Sequence, residues 1–294
     1  MIRSLDLLAT AMVPAVWGTT YIVTTEMLPE GFPITVAMLR GLPAGLLLLL
    51  IARRLPPLEW VPKVLLLGAL NISIFLTLLF VAAYRLPGGL AATLTAIQPL
   101  MVLMLSRVFL GAAVQPLGVA AALAGIAGVG LLVLGPEASP DPIGIAAALG
   151  AALSMATGNV LARRWQPPVS PLTFTGWQLT AGGLLLLPVA LLLEPGFPMP
   201  NAVNLAGLVW LGLIGGALAY VFWFRGIARL GPPTVTAFSF LSPLSAVVLG
   251  WLVLGQALTP LQGLGAAIVL LSVWFGQRAG RRATATENPK GATA

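Results

Sequence analysis

The sequence predicts an all-α integral membrane fold: ten transmembrane helices, arranged as two inverted five-helix repeats around a central cavity. Three observations predict it. The first is composition. Of 294 residues, 59% are hydrophobic and only 8% are charged, with a mean hydropathy of +1.00. A soluble domain carries about 25% charged residues, so the charges here are too few to cover a water-facing surface. The second is segmentation. Breaks rich in Pro, Gly and charge cut the chain into ten apolar stretches, each near the roughly 20 residues that a bilayer-spanning helix needs. The third is the alternation of loop charge. Arg3, Arg53, Arg54, Lys63, Arg107, Arg163, Arg164, Arg225, Arg229, Arg278, Arg281, Arg282 and Lys290 fall on one side; Glu26, Glu30, Glu137, Asp141 and Glu194 fall on the other, where Arg85 is the one basic residue. By the positive-inside rule the basic side is cytoplasmic, which puts both termini inside.

The elements follow in order. The first span, 5–25, precedes Glu26 and Glu30; it is too long for the apolar region of a cleaved leader, and no small-residue cleavage site follows it. Within it Pro14, Trp17, Tyr21 and Thr24 recur at helical spacing on one face, while Met12, Ala15, Val16, Ile22 and Val23 form an apolar face interrupted by Thr19. A polar face at membrane depth has to meet protein or water. The second span, 33–52, carries Arg40, the ionisable side chain well inside a span, about 10 Å below the outer surface. Such a residue is functional by default, touching a substrate carboxylate or serving a structural or gating role; the alternative is that it snorkels outward to the headgroups or to Glu26 and Glu30. Pro43 lies mid-span beside the small-xxx-small pair Gly41 and Gly45, which permits close helix approach.

The third span, 62–84, presents Asn71, Ser73 and Thr77; the fourth, 88–107, presents Thr95, Gln98, Pro99 and Met101. The fifth, 116–134, has packing glycines Gly118, Gly125 and Gly128; the sixth, 142–163, has Met155 and Asn159; the seventh, 171–193, has Trp177 and Gln178. The eighth, 203–225, offers Tyr220 and Trp223 with packing glycines Gly212 and Gly216; the ninth, 232–254, offers Thr236, Ser239, Ser242 and Pro243; the tenth, 260–277, precedes a basic tail. Trp and Tyr commonly sit in interfacial belts, and Trp223, close to Arg225, is expected there. Trp17, Asn71 and Gln98 lie near mid-span, where a belt role fails; a cavity lining is expected ahead of plain interhelical hydrogen bonding. Tyr21 and Asn159 sit about one turn from a span end, where either role is open. Pro14, Pro43, Pro99 and Pro243 each remove a backbone hydrogen bond and tend to kink a helix, and Pro14, Pro99 and Pro243 are the expected hinges.

An internal repeat ties the spans together. "PITVAMLRGLPAGLLLLL" from Pro33 and "PLTFTGWQLTAGGLLLLP" from Pro171 share Pro, Thr, Gly and a Leu run at an offset of 138. An offset of 144 pairs Gly68 with Gly212, Arg85-Leu86 with Arg229-Leu230, Pro99-Leu100 with Pro243-Leu244, Leu110-Gly111 with Leu254-Gly255, and Pro116-Leu117 with Pro260-Leu261. Each unit holds five spans, an odd number, so the second copy enters the membrane upside down. Secondary transporters are often built this way, with the substrate site near the midplane between the repeats. The expected division is 1–136, 137–280, and a disordered basic cytoplasmic tail over 281–294.

A ten-span chain with this repeat, Trp17-Gly18 in span 1, Arg40 in span 2, Gln98-Pro99 in span 4 and a mid-span Pro in span 9 resembles the EamA branch of the drug/metabolite transporter superfamily, over about residues 5 to 277. Within that branch it is most similar to bacterial amino-acid and metabolite exporters. The resemblance implies a secondary transporter of the bacterial inner membrane that exports small metabolites, foremost amino acids, including aromatic or amphipathic ones. Other metabolite or drug classes (nucleotide-sugar-like compounds, amines, drugs) are the alternative, and an intramembrane enzyme is the remote one. One departure stands out: the position corresponding to Trp17-Gly18 in the second half reads Thr157-Gly158, which makes the site asymmetric.

The candidate substrate-binding residues are therefore Trp17, Tyr21, Arg40, Asn71, Gln98, Met101, Asn159, Trp177, Tyr220 and Ser239. With no Cys and no His, thiol chemistry and His-ligated metals are excluded, and no cofactor is expected. No carboxylate lies deep in a span, so the side chains that enzymatic chemistry needs are missing; no Walker-type Gly-rich loop is present to drive a pump. The basic residues are scattered topology signals without an aromatic platform, which argues against nucleic acid as a partner. The expected partners are a small-molecule substrate and the lipid bilayer, and the sequence is compatible with a monomer. All eight acids, Asp6, Glu26, Glu30, Glu59, Glu137, Asp141, Glu194 and Glu287, lie at span ends, in loops or in the tail. Proton-driven carriers usually hold an embedded acid or His, so transport without proton coupling is expected.

Overall fold

The computed structural model describes residues 2–86, 94–133, 141–254 and 259–287, and every regular element among them is a helix. In chain order these are α1 (Ile2–Met27), α2 (Pro33–Ala52), α3 (61–85), α4 (Gln98–Leu110), α5 (Pro116–Val133), α6 (Pro142–Arg164), α7 (Pro171–Leu193), α8 (202–230), α9 (232–254) and α10 (Pro260–Glu287). Among the described residues, eight helical stretches are long and apolar enough to cross a membrane, and two shorter apolar helices, Gln98–Leu110 and Pro116–Leu131, accompany them. Leu8, Met12, Leu50, Leu192 and Leu271 are exposed, while Asn71, Asn159, Thr175 and Gln178 are buried. An apolar exterior around a polar interior is stable against lipid and would be costly in water.

Helix starts follow ordinary capping chemistry. Pro33, Pro142 and Pro171 each occupy the first turn, where the missing N–H costs nothing. The Asp141 side chain accepts from the Gly144 N–H at 2.9 Å, and the Ser170 hydroxyl accepts from the Thr173 N–H at 3.1 Å. Asn201 and Asn204 form a reciprocal capping box that opens α8. The first turn of α2 is served from another helix. Both Glu194 oxygens, just beyond α7, accept from it, from Ile34 N–H at 2.9 Å and Thr35 N–H at 2.7 Å. A carboxylate there satisfies two orphan donors and complements the positive end of the helix dipole.

α2 and α7 pack antiparallel. Leu42 lies against Gly183, Gly45 against Thr180 and Leu48 against Gly176; position advances along one helix as it retreats along the other. A Cβ on Gly45 would collide with the Thr180 backbone, so glycine permits this approach. α5 and α10 pair in the same antiparallel sense, with Gly128 against Gly265 and Ile268 and Gly118 near Ala279. Around these two pairs, α1 packs on α8 and α9, α6 packs on α3 and α4, and α2 also touches α8 as α7 touches α3. The expected packing role of Gly41, Gly45, Gly125 and Gly128 is met by tight neighbours, whereas Gly212 and Gly118 have only loose ones.

Three local features differ from expectation. First, α3 and α8 are not uniform α-helices: each contains a π-helical segment, Ala69–Ile74 in α3 and Trp210–Leu218 in α8. Second, Pro99 and Pro243 do not kink uninterrupted helices. Residues 96–97 form a turn before α4, which places Pro99 in its first turn. In α9 a 3₁₀ segment, Ala237–Phe240, runs directly into Leu241–Leu254, and Pro243 stands in the first turn after it. Proline cannot donate back into a preceding turn, so the helix is re-initiated rather than bent. Pro14 and Pro43 do lie inside α1 and α2. Third, α10 continues to Glu287. Residues 281–287 of the expected disordered tail are therefore helical, and 288–294 lie outside the described residues.

Candidate functional site

The predicted residues fall into a central group, a neighbouring pair, and outliers. The central group is built on the π segment of α8. A π turn displaces backbone carbonyls from the regular α ladder, and here the Gly215 carbonyl accepts two side-chain donors from other helices: Trp17 Nε1 of α1 at 2.9 Å and Arg40 Nη2 of α2 at 3.3 Å. Trp17 also lies against two rings of α8, with centroids 5.2 Å from Tyr220 and 4.9 Å from Trp223. Trp223 in turn donates through Nε1 to Asn159 Oδ1 of α6 at 3.1 Å. Arg40, Asn159, Tyr220 and Trp223 are each at most 4% exposed, and Trp17 is half-buried. Trp223 is thus not an interfacial belt residue. It faces inward because it sits three positions after Tyr220 on the same face of α8, and its indole N–H finds an amide instead of headgroups.

The neighbouring pair is Asn71 and Gln178. Asn71 Nδ2 donates to Gln178 Oε1 at 2.9 Å, joining the π segment of α3 to α7. The Asn71 amide also lies close against Gly158 of α6, next to Asn159. As in α8, a π-segment carbonyl is taken by a side chain from elsewhere: Leu70 O accepts from Ser154 Oγ at 2.7 Å.

The outliers have local partners. Trp177 is buried near the 53–54 turn, where its Nε1 donates to Arg54 O at 2.7 Å. Ser239 bonds back to Thr236 O at 2.6 Å in its own 3₁₀ turn. Met101 packs with Val102, Ala156 and Val160 between α4 and α6, while Gln98 is buried at the start of α4. Tyr21 lies in α1, one turn beyond Trp17, but its side chain is outside the described ones. A cavity of about 50 Å³ lies between α4, α5, α9 and α10, bordered by Pro99, Leu103, Pro233, Phe240 and Ser272. Of the predicted binding and hinge residues it takes only Pro99; the central group is packed ring against ring.

One property unites four of the predicted residues. Arg40 Nε, Asn71 Oδ1, Gln98 Nε2 and Asn159 Nδ2 are buried polar atoms without a hydrogen-bond partner. Native structures satisfy the great majority of such atoms, and the exceptions cluster where a water or ligand is handled.

Sequence reasoning missed one charged cluster. Asp6, at the start of α1, is buried between Arg225 Nε at 2.8 Å and Arg229 Nη1 at 2.9 Å, both on α8. The signal was available, since Arg225 and Arg229 lie one helical turn apart on one face, but both read equally well as topology charges. On the acidic face, Arg85 pairs with Asp141 at 3.2 Å, which accounts for that isolated basic residue. The backbone N–H of Gly144, and then the Arg85 guanidinium, hold the Asp141 carboxyl below the usual carboxylate range.

An all-helical bundle with an apolar exterior, several membrane-length helices and a buried polar network defines a multi-pass membrane protein. The chain belongs to the EamA-like transporter family, whose model matches residues 5–134 and again 142–275. Similar proteins include Protein PecM of Dickeya dadantii (strain 3937), 45% identical over 258 residues that make up 87% of this chain and 86% of the relative. The uncharacterized inner membrane transporter YedA of Escherichia coli (strain K12) is 28% identical, over 88% of this chain and 86% of its own length. A probable terminal-alkyne amino-acid exporter of Streptantibioticus cattleyicolor is 30% identical over 79% of each chain. A crystal structure of a protein 20% identical in sequence superposes with a TM-score of 0.80, over 92% of this chain and 97% of its own, a likeness in fold.

Proposed function

We propose that the chain is a secondary transporter of the bacterial inner membrane that exports small metabolites, with amino acids as the leading substrate class, by alternating access and without proton coupling. In this reading α1–α10 all span the membrane as two inverted five-helix units, 1–136 and 137–280, and both termini are cytoplasmic. The observation that carries it is the network around Gly215, with the neighbouring Asn71–Gln178 pair: polar and aromatic side chains from both units converge on π-helical backbone in the middle of long apolar helices.

The twofold relation has support in the packing. The offset of 138 takes Arg40 to Gln178, and the offset of 144 takes Asn71 to Gly215. The bond from Arg40 to Gly215 and the bond between Gln178 and Asn71 are therefore counterparts. So are the two π segments and the antiparallel pairs α2–α7 and α5–α10. The family model matching twice fits the same division. For the substrate class, support comes from the aromatic cluster and from the relative described as an amino-acid exporter. Asp6 does not supply a free acid for proton coupling, because two guanidinium groups hold it.

Purified protein in proteoliposomes, loaded with one unlabelled amino acid at a time, tests this. Counterflow uptake of the labelled amino acid is expected with no ion gradient imposed. Uptake that appears only with an imposed pH step would overturn the uncoupled mechanism, and no counterflow across the amino-acid panel would remove the substrate class.

A further inference from the structure

Arg40 raises a question of charge. Its side chain is 4% exposed, halfway down an apolar helix. A buried guanidinium is costly unless an anion faces it. Among the described residues no carboxylate does so. Asp6 is held by Arg225 and Arg229, and Asp141 by Arg85. Glu194 is spent on the α2 amides, six positions before Arg40. The aromatic neighbour of that carbonyl network with an ionisable group, Tyr220, packs against Trp17, and a phenol is neutral at neutral pH. The hydrogen bond that the guanidinium makes is a long one to a neutral carbonyl, and its Nε has no partner. The fold itself does not require the charge, since the counterpart position in α7 is the neutral Gln178.

The surroundings describe what would complete it. Gly215 has no side chain to cover the guanidinium: a Cβ built there would reach only van der Waals distance, 3.6 Å from Nη2. The Trp17, Tyr220 and Trp223 rings stand next to it, sharing the Gly215 carbonyl through Trp17. Resting on the transporter reading above, we infer that Arg40 binds the carboxylate of a monocarboxylate substrate whose flat apolar group stacks against the Trp17–Tyr220–Trp223 cluster, and that an α-ammonium group on the substrate is dispensable. The carboxylate makes a charge-assisted bond with Arg40 through Nε and Nη, and aromatic faces stack on the ring cluster. An ammonium would find no carboxylate facing it among the described residues: Gly215 O, the acceptor that Arg40 reaches, already receives Trp17 and Arg40, and the guanidinium itself repels a second cation.

The test is equilibrium binding to the purified full-length protein, read by intrinsic tryptophan fluorescence excited at a wavelength that phenyl compounds do not absorb. This readout needs no translocation, so a failed transport assay and a failed carboxylate site are told apart. The probes are 3-phenylpropionate, phenylalanine and phenethylamine. The expected result is saturable binding of the first two, within about threefold of each other, and at least tenfold weaker binding of the amine. Arg40→Gln, which installs the residue already tolerated at the counterpart position, should weaken 3-phenylpropionate at least tenfold, and Arg40→Lys should recover part of the loss. If Arg40→Gln does not fold, the wild-type ranking of the three probes decides. The inference is overturned if wild-type protein fails to bind 3-phenylpropionate, if phenethylamine binds as tightly, if phenylalanine binds more than tenfold tighter than its deaminated analogue, or if folded Arg40→Gln binds 3-phenylpropionate like wild type.

Discussion

Asp141 caps α6 through Gly144 and pairs with Arg85 of α3, so one partly buried carboxylate fastens two helix ends. Its folded-state pKa lies below the ordinary value of about 3.9. A depressed carboxyl contributes stability that is fully present above the ordinary value and is lost as pH falls through the lower, folded one. Between pH 7 and 5 this group should leave the thermal midpoint unchanged; below about pH 4 the midpoint should fall, and Asp141→Asn should flatten that fall while lowering the midpoint at pH 7. The Asn71–Gln178 bond is a second residue-scale case. A double-mutant cycle with Asn71→Ala and Gln178→Ala should return a coupling of about 0.6–2 kcal/mol, the range for interhelical hydrogen bonds in membranes. At this scale the sequence was legible wherever a polar residue stood deep in a span: Trp17, Arg40, Asn71 and Gln98 are all inward or buried. It was illegible near span ends, because an indole within a turn of a boundary can face lipid headgroups or protein equally well. Trp223 faces protein; Trp177, read as binding, anchors the 53–54 turn.

At the scale of the helix, glycine spacing alone did not distinguish a contact from a gap. Gly45 and Gly212 both belong to small-xxx-small pairs, yet a Cβ on Gly45 runs into the α7 backbone while one on Gly212 stays 3.8 Å from its nearest neighbours. Gly45→Ala should therefore destabilise the protein by about 1–3 kcal/mol, an overpacking cost, and Gly212→Ala should be near neutral in the same detergent melting experiment. The π segments left no trace in hydrophobic periodicity, since one widened turn rotates the apolar stripe too little to register over a long apolar stretch. The breaks before Pro99 and Pro243 were legible as prolines but not as re-initiated helices, because a missing N–H is compatible with either outcome.

For the whole molecule, composition predicts the all-helical bundle with an apolar exterior that is observed, and the orientation that loop charge implies can be measured directly because the chain has no cysteine. With both termini inside, Pro57→Cys should be protected from an impermeant thiol reagent in intact cells and Ser139→Cys should be labelled; the reverse pattern would invert the topology. The pairing of helices was not legible at all, since a repeat offset says which elements correspond and not which ones touch. That pairing has a consequence for how such a chain can be divided. Among the described residues, the most extensive antiparallel contacts, α2 on α7 and α5 on α10, run between α1–α5 and α6–α10 and not within either. Cleaved at the 134–141 connection, neither fragment would keep the partner for its closest helix face, and each should be recovered only when both are made together. The same interlocking constrains substitution: a larger residue admitted at Gly45 has to be answered across the seam near Thr180, so a change on one crossing face is tolerated only with a matching change on the other.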